Sequence, residues 1–192
     1  ELQLERETIV IFLSENGGLV RLWVMTPLIR GKGSEYEGGI RVPLIVHWPS
    51  KVAAGQVIDK PVHIIDLYPT FMEIAVGDAG SHHLDGASIL PLIDGRGGFD
   101  RDAIYMHTPL YIPHYKKTPS SLIRTDDYKL IYFHGDYLHE SDYDKVIPGE
   151  RYELYRINED ISEQNNLAEA MPEKTAELKA KLHAWLEETG AQ

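Results

Sequence analysis

The chain has 192 residues, with 19 lysines and arginines against 30 aspartates and glutamates, which gives a formal net charge of −11 at pH 7. Hydrophobic residues make up 43% and charged residues 26%, values typical of a folded globular protein, so a disordered chain is excluded. No apolar run approaches the ~18 residues that a membrane-spanning helix requires. The acidic balance without a basic patch argues against nucleic-acid binding. A cysteine count of 0 excludes disulfides, thiolate metal sites and a cysteine nucleophile within this chain.

Two apolar runs, at residues 8–13 and 44–48, predict the first strands of the chain. Continuous β-branched and apolar runs are typical of strands buried on both faces, as in a parallel sheet covered by helices. His47, next to Trp48, is then expected to be a core histidine with satisfied polar atoms. Because two strands do not make a stable sheet, we expect the missing strands to come from another chain segment or from a partner.

A helix is predicted over residues 63–76, because Leu67, Phe71 and Ile74 recur at helical spacing. Asp66 is expected to be its N-cap, since aspartate side chains accept hydrogen bonds from the first free N–H groups of a helix.

Shorter elements are predicted in the second half of the chain. Apolar runs separated by turns predict a small antiparallel sheet over residues 103–106, 121–124, 129–133 and 152–155. Asp126-Asp127 lies between two of these runs and predicts a hairpin connection. A closing helix is expected from Pro172 to Gly190, with an apolar stripe of Met171, Leu178, Leu182, Trp185 and Leu186. Glu177 and Lys181 have the spacing of a favourable ion pair on that helix.

The turn after the first strand carries a candidate metal site. Glu15 and Asn16 place a carboxylate and an amide oxygen side by side, and these are suitable ligands for Ca²⁺ or Mg²⁺. In open α/β sheets, ligands bind beyond the carboxyl ends of the strands, which is where this pair lies. The alternative is an ordinary strand-end turn, because Asn-Gly is a common turn dipeptide.

Three further groups are candidates for contacts with a substrate. Lys32, between Gly31 and Gly33, has the flexibility to reach an anion, although a solvated loop lysine is the commoner case. Arg41 is open to two interpretations, as an anion contact or as a structural ion-pair partner of Glu37. His107 and His114 lie in an aromatic segment that suits a sugar or aryl pocket, or else a polar loop packed by tyrosines.

Other chemistry is sparse in this chain. His82-His83 is a weak metal pair without a carboxylate at useful spacing, and we expect it to be exposed to solvent. No G-x-S-x-G elbow, phosphate-binding loop or H-E-x-x-H motif is present in the sequence. The residues alone therefore indicate anion-binding and cation-binding loops without a complete catalytic constellation.

An ordered series of segments resembles the type I sulfatases, the formylglycine-dependent family with the alkaline-phosphatase-like fold. Residues 9–18 resemble the strand and turn "I-x-x-x-S-D-N-G" of that family, and residues 27–43 are similar to "K-G-x-x-x-E-G-G-x-R-V-P". The remaining matches are residues 66–70 ("D-x-x-P-T"), residues 85–92 ("D-G-x-S-L-x-P-L"), residues 121–130, and residues 152–168. The order of the series is more specific than any one segment.

The resemblance implies an α/β fold, namely the C-terminal part of an alkaline-phosphatase-like sulfatase. Residues 1–100 would supply the last strands of the large sheet, and residues 101–192 a small subdomain with an antiparallel sheet and a C-terminal helix. It also implies that Glu15 and Asn16 match metal ligands, usually of Ca²⁺. Lys32 would contact the sulfate as a catalytic residue, and His107 and His114 would face the substrate pocket. The formylglycine nucleophile is expected in an upstream segment, because its C/S-x-P-x-R motif is not in this chain.

The implied function is hydrolysis of sulfate esters as part of a longer enzyme, with this chain alone inactive. The substrate would be a sulfated small molecule or glycan, and the partner would be the N-terminal segment of the same enzyme. The chain begins at Glu1, so we expect any sorting signal to lie upstream; a periplasmic or extracellular location is what the resemblance implies. Glu15 replaces the usual aspartate, which favours one alternative, a non-catalytic binding module or inactive remnant. Another alternative is a phosphoester or phosphonate hydrolase of the same superfamily.

Overall fold

The computed structural model describes residues 2, 4–19, 25–77, 83–110, 118–135, 137–138, 146–147 and 149–191. It contains two compact units, one comprising Glu1–Glu15 with Val42–Asp102 and the other Asn16–Arg41 with Ala103–Gln192. The predicted division of the chain after residue 100 into a large-domain part and a subdomain stays a prediction. No helix in the described part of the chain combines the length and apolar character needed to cross a bilayer.

The described elements follow one another along the chain in this order: β1 (Val10–Leu13), α1 (Glu37–Ile40), β2 (Leu44–His47), a 3-10 turn (Ile64–Asp66), α2 (Leu67–Val76), α3 (Leu90–Ile93), β3 (Ile104–Thr108), β4 (Ser120–Arg124), β5 (Tyr128–Phe133), β6 (Tyr137–Leu138), β7 (Val146–Ile147), β8 (Arg151–Arg156) and α4 (Pro172–Thr189). Both strands and the helix predicted in the first hundred residues are present. The four strands and the closing helix predicted in the second half are also present.

The two strands of the first unit form an antiparallel ladder. Val10 lies opposite His47 and Leu13 opposite Leu44. The prediction of parallel strands buried on both faces was therefore wrong for this chain, since Val10, Phe12 and Ile45 are 53%, 60% and 58% exposed. His47 is exposed as well, so it is not a core histidine. An apolar run predicts a strand with two apolar faces, but it carries no information about the direction of the neighbouring strand or about what covers those faces.

Asp66 is the N-cap residue of α2, but its side chain makes no capping hydrogen bond to that helix. Its carboxylate accepts hydrogen bonds from the backbone N–H groups of His63 (2.7 Å) and Ala87 (3.0 Å). It also forms a two-pronged ion pair with Arg101, whose Nη1 lies 2.6 Å from Oδ2. The predicted N-cap position of Asp66 is thus confirmed, whereas its side chain is used differently from the expectation, because a fully buried carboxylate takes the guanidinium that neutralises it.

The second unit is built on a four-stranded antiparallel sheet in the order β3-β4-β5-β8. The β4–β5 hairpin closes with the N–H of Thr125 donating to the carbonyl of Tyr128 at 2.8 Å, which confirms the hairpin predicted at Asp126-Asp127. His107, Ser121, Tyr132 and Tyr152 lie directly opposite one another across the four strands. These four side chains therefore share one row on one face of the sheet.

Each face of this sheet is covered by apolar residues. On one face, the predicted stripe of α4 packs through Leu178, Leu182 and Leu186 against Ile123 and Leu130. The helix ends at Gly190, which adopts a left-handed φ of 67°. The opposite face packs against the segment before and within α1, in a cluster of Tyr36, Leu122, Ile131, Phe133, Tyr155 and Ile157. The sheet thus joins a remote helix and the loop region that carries Lys32 in one unit.

Candidate substrate and metal site

The loop that carries Lys32 is tied by its backbone to the turn after β1. The N–H of Lys32 donates to the carbonyl of Gly18 at 3.0 Å, and the N–H of Gly17 donates to the carbonyl of Gly39 at 2.8 Å. Inside the loop, the Ser34 hydroxyl donates to the carbonyl of Gly31 at 2.9 Å. The side chain of Lys32 itself is exposed. The structure therefore brings the Lys32 loop against Gly17 and Gly18, the two glycines that follow Asn16.

Three glycines allow this close approach. A Cβ added to Gly17 would lie 2.7 Å from the carbonyl carbon of Gly38, and one added to Gly38 would lie 2.5 Å from the carbonyl oxygen of Arg30. A Cβ on Gly39 would lie 2.6 Å from the Ser34 hydroxyl. The neighbours are mainly backbone atoms, so a side chain could be fitted only by moving the main chain. These glycines are required for packing, whereas the sequence pattern indicated only turns.

Glu15 and Asn16 offer two oxygen donors for a hard cation. Glu15 is exposed and Asn16 is half-buried. Ca²⁺ takes about 6–8 oxygen ligands, so this donor set suits such an ion but supplies only part of its coordination. Among the described residues, no three histidine, cysteine, aspartate or glutamate side chains come together as a metal-binding group. Their assignment as metal ligands therefore stays a prediction.

A buried ionic cluster lies beneath α1, and we call Lys129, Glu37 and Glu163 the Lys129 cluster. The Lys129 Nζ donates to Glu37 Oε1 and to the carbonyl of Glu35, both at 3.0 Å, and pairs with Glu163. The backbone N–H of Glu37 donates to Glu163 Oε2 at 2.6 Å. All three members are at least 96% buried. Sequence analysis missed this cluster, although a lysine next to the apolar run Leu130-Ile131 was a signal for it.

The two carboxylates of the cluster have opposite pKa shifts. Burial raises the pKa of Glu37, but Lys129 and then Arg124 and Arg41 outweigh that effect and hold its pKa below the usual value. Burial raises the pKa of Glu163 above the usual value despite the opposing effect of Lys129. Arg41 Nη1 lies 3.4 Å from Glu37 Oε2, which confirms the ion-pair interpretation of Arg41.

The residues preceding Glu37 are anchored to the same sheet. The Ser120 hydroxyl donates to Glu35 Oε1 at 2.5 Å. The Tyr36 and Tyr155 hydroxyls both donate to Glu153 Oε2 at 2.8 Å. The side chains of Glu35, Tyr36 and Glu37 are thus each bound to a residue about a hundred positions downstream. These contacts fix the carboxyl end of the Lys32 loop.

His107 belongs to a hydrogen-bonded group on the opposite face of the sheet. Its Nδ1 lies 2.9 Å from the hydroxyl oxygen of Ser121, which lies 2.8 Å from Nε2 of His134. A serine hydroxyl has one proton, so at most one of the two histidine nitrogens can accept from it and at least one must donate. Burial, followed by His107 and His183, lowers the pKa of His134, with Glu150 opposing. His114 and His82 lie outside the described residues, and His83 is exposed.

Aromatic rings continue this row toward α4. Tyr132 stacks on His134 with ring centroids 4.1 Å apart and on Tyr152 at 4.6 Å. The Tyr152 hydroxyl lies 2.9 Å from Nε2 of His183 on α4. Burial raises the pKa of Tyr152 to about 12, so it stays protonated at neutral pH. His107 is therefore fixed by its contact with Ser121, which belongs to a row of polar and aromatic side chains that includes His134, Tyr132 and Tyr152.

An open cleft of about 470 Å³ lies beside Tyr36, lined also by Ile29, Arg30, Arg151, Glu153, Tyr155, Glu163 and Gln164. Its buried carboxylates already have partners: Glu153 pairs with Arg151 and two tyrosine hydroxyls, and Glu163 with Lys129. The cleft therefore offers little unsatisfied charge to a ligand.

Comparison with solved structures defines the class of protein. The crystal structure of Ps i-CgsB matches with a TM-score of 0.72 and 29% identity, covering 94% of this chain and 37% of that one. The structure of BT4656 in complex with its substrate D-glucosamine-2-N,6-O-disulfate matches with a TM-score of 0.66 and 27% identity, covering 95% of this chain and 34% of that one. The structure of BT1596, a 2-O GAG sulfatase, matches with a TM-score of 0.73 and 22% identity, covering 97% of this chain and 37% of that one, so the fold is that of part of a sulfatase, which confirms the predicted fold class.

Sequence comparison identifies the family. A model described as N-sulphoglucosamine sulphohydrolase, C-terminal, matches residues 31–192. A sulfatase of Formosa agariphila is 34% identical over 199 residues, covering 95% of this chain and 34% of the relative. Human arylsulfatase K is 30% identical over 184 residues, covering 96% of this chain and 32% of the relative. The chain belongs to the sulfatase family, as the resemblance predicted, and spans about a third of the length of these curated relatives.

Proposed function

We propose that this chain supplies the C-terminal part of the active site of an enzyme that hydrolyses sulfate esters. The observation that carries the proposal is the backbone junction that joins the Lys32 loop to Gly17 and Gly18, the two residues after Asn16, in a chain of the sulfatase family. A lysine on this loop and oxygen ligands from the chain just before Gly17 are the residue types that binding of a sulfate and a divalent cation would require. The nucleophile, a formylglycine, would come from polypeptide outside this chain.

Lys32 acts in this proposal as an electrostatic catalyst. Its ammonium group contacts the sulfate oxygens and stabilises the negative charge that they carry as the ester bond breaks. A loop fixed at both ends suits this role, because the charge needs no reorganisation at the moment of reaction. His107 and His114 are proposed as substrate contacts; because the Nδ1 of His107 is engaged by Ser121, its contact with a substrate would be made through Nε2.

Glu15 and Asn16 are proposed as two ligands of Ca²⁺, or of Mg²⁺. When bound, such a cation offsets charge on the sulfuryl oxygens. Glu15 has one methylene more than the aspartate of the family pattern, and the flexible coordination geometry of Ca²⁺ can absorb that difference. This substitution is also the observation that favours the second candidate function, a binding module that holds sulfated glycans without turning them over.

The proposed substrate is a sulfated sugar or another small sulfate ester. Support comes from BT4656, whose substrate is D-glucosamine-2-N,6-O-disulfate. Hydrolysis of phosphoesters or phosphonates remains an alternative, because the same metal and cation chemistry serves both anions.

The test uses the full-length protein that contains this chain, assayed with an aryl sulfate, an aryl phosphate and sulfated glucosamine. We expect sulfate ester hydrolysis, and we expect Lys32→Ala to lower kcat by ~10²–10³-fold, as for loss of an electrostatic contact in other enzymes. Lys51→Ala, at another exposed lysine, is the matched control and should have no effect. Binding of sulfated glucosamine without turnover would support the binding module, and faster hydrolysis of the phosphate would support the phosphoesterase. Equal activity of Lys32→Ala and the wild type would overturn the role of Lys32.

A further inference from the structure

We propose that the Lys129 cluster positions Lys32 for reaction with sulfate, so that Lys129, Glu37 and Glu163 are positioning residues of the enzyme. This inference rests on the proposed function, because it requires Lys32 to contact the sulfate. None of the three residues reaches the substrate in this proposal. They act through α1 and the glycine contacts that hold the Lys32 loop.

The first step of the argument is the position of Lys129 in the sheet. It lies on β5, a strand paired on both sides, opposite Arg124 on β4 and Tyr155 on β8. Its side chain is completely buried and ends among two carboxylates and a backbone carbonyl. A central strand of a paired sheet is a rigid base, so the ammonium group is a fixed point from which α1 is held.

The second step is the link from that fixed point to α1. Glu37 is the first residue of α1, and the cluster binds it twice, through its carboxylate to Lys129 and through its backbone N–H to Glu163. Glu163 has a left-handed φ of 50°, which is uncommon for a residue other than glycine. The position and orientation of α1 are therefore specified by charged groups as well as by apolar packing.

The third step is the link from α1 to Lys32. The N–H of Gly38 donates to the carbonyl of Ile29 at 3.1 Å, and Gly39 lies against Ser34 and Gly31. Gly39 also accepts the hydrogen bond from Gly17, in the turn that follows Glu15 and Asn16. These are backbone contacts without flexible side chains between them, so a displacement of α1 moves the Lys32 loop with it.

The burial of three ionisable side chains in the Lys129 cluster needs an explanation other than a contribution to the free energy of unfolding. Buried ion pairs cost desolvation, and replacing one by apolar residues is often neutral or stabilising. A directional ion cluster does specify one arrangement of α1 on the sheet, which apolar contacts specify less strictly. Misplacement of a reacting group by about 1 Å can cost ~10²-fold in rate, so strict placement of the Lys32 loop has a kinetic benefit.

The test is a double-mutant cycle in the full-length enzyme, with kcat and KM measured on a sulfate ester. Lys129→Met replaces the ammonium by an apolar chain of similar length, and we expect it to lower kcat ~10–100-fold with a smaller change in KM. In a Lys32→Ala background, the same change should lower kcat less than about twofold, because the group that it misplaces is gone. Lys181→Met, at an exposed lysine of α4, is the matched control and should leave kcat unchanged.

The outcomes separate this inference from the proposed function. An equal loss of kcat from Lys129→Met in both backgrounds would show a purely structural role and overturn the inference, while a large effect of Lys32→Ala would leave the proposed function intact. No effect of Lys32→Ala would instead overturn the function assigned to Lys32, and the inference with it.

If Lys129→Met does not fold, Glu163→Gln serves in its place, since it removes a charge but keeps an acceptor for the Glu37 N–H. Restoration of kcat by Lys129→Arg, relative to Lys129→Met, would add support.

Discussion

The backbone N–H of Gly17 donates to the carbonyl oxygen of Gly39 at 2.8 Å, which joins the turn after β1 to the end of the E-G-G segment. Two sequence motifs that are 22 positions apart thereby form one structural junction. Because the junction is made of main-chain atoms, its geometry depends on residues without a Cβ. This dependence leads directly to the first prediction.

Gly38→Ala should disrupt the Lys32 junction. The added Cβ would meet the carbonyl oxygens of Ile29 and Arg30, the latter at 2.5 Å, so the main chain must move. We expect a loss of at least ~2 kcal/mol in the free energy of unfolding and a loss of sulfate ester hydrolysis in the full-length protein. Gly55→Ala is the control: nothing lies within 4 Å of its Cβ, and its φ of 75° should cost only about 1 kcal/mol. Similar unfolding free energies for the two variants would contradict the packing argument.

Leu182→Ala should destabilise the second unit through its core. Leu182 is fully buried between α4 and the sheet, with Ile123 and Leu130 in the same apolar cluster. Large-to-small changes at such positions cost about 2–5 kcal/mol. Urea unfolding followed by circular dichroism measures this cost, and Lys181→Ala, one residue away and exposed, should change it by less than about 0.5 kcal/mol. A cost below 1 kcal/mol for Leu182→Ala would contradict this packing of α4.

Stability should decrease as the pH falls through the range in which histidines titrate. Burial, with His107 and His183, holds the pKa of His134 below its usual value, and burial does the same for His63 in the first unit. The unfolded chain then binds protons first, near its ordinary pKa of about 6.5. The stabilisation contributed by these neutral rings is present above that pH and is lost as the pH falls toward the folded pKa.

The measurement is the unfolding midpoint of the second unit at a series of pH values between 7.5 and 5. His134→Gln removes one of the titrating rings, so its midpoint should vary less over this range than that of the wild type. His83→Gln is the control at an exposed histidine and should retain the wild-type slope. A wild-type midpoint that rises on acidification over this range would refute the sign of the shift.

The isolated 192-residue chain should self-associate through the β1–β2 ladder. Phe12 and Ile45 lie directly opposite each other on that ladder and are 60% and 58% exposed. Exposed apolar strand faces promote association, so changing both residues to serine should shift the chain toward monomer in sedimentation velocity. Val57→Ser, at an 84% exposed residue away from the ladder, should leave the distribution unchanged. A monodisperse wild-type monomer would contradict this prediction.

Calcium affinity of the full-length protein should depend on the turn after β1. Glu15→Ala and Asn16→Ala each remove one proposed oxygen ligand, so calorimetry should show that both variants bind Ca²⁺ more weakly than the wild type. Glu15→Asp restores the shorter carboxylate of the family pattern, so this variant should bind Ca²⁺ at least as tightly as the wild type. Glu5→Ala provides the control at an exposed acidic residue upstream. Unchanged affinity in both alanine variants would remove these residues from the metal site.

Local sequence patterns predicted most of the elements but fewer of their contacts. The apolar stripe from Leu178 to Leu186 predicted both α4 and the face that it buries, because side chains three and four positions apart lie on one side of a helix. The same kind of reasoning correctly placed Asp66 at the N-cap of α2 but not its side chain, which pairs with Arg101, 35 positions away. Helix signals depend on neighbours in sequence, whereas a buried carboxylate takes whichever cation the fold brings to it.

The sequence by itself determined the family of this protein and the positions of six of its eight described strands and of its closing helix. It also indicated Lys32, Glu15 and Asn16 as candidates for the site, because ordered motifs and side-chain periodicity are local properties. Only the tertiary structure decided that β1 and β2 run antiparallel, that the Lys32 loop and the turn after β1 form one junction, and that Lys129 reaches Glu37 across 92 positions of sequence. The physical reason is that these contacts need two remote segments to pack at a particular distance and orientation, and residue type alone does not encode which segments meet.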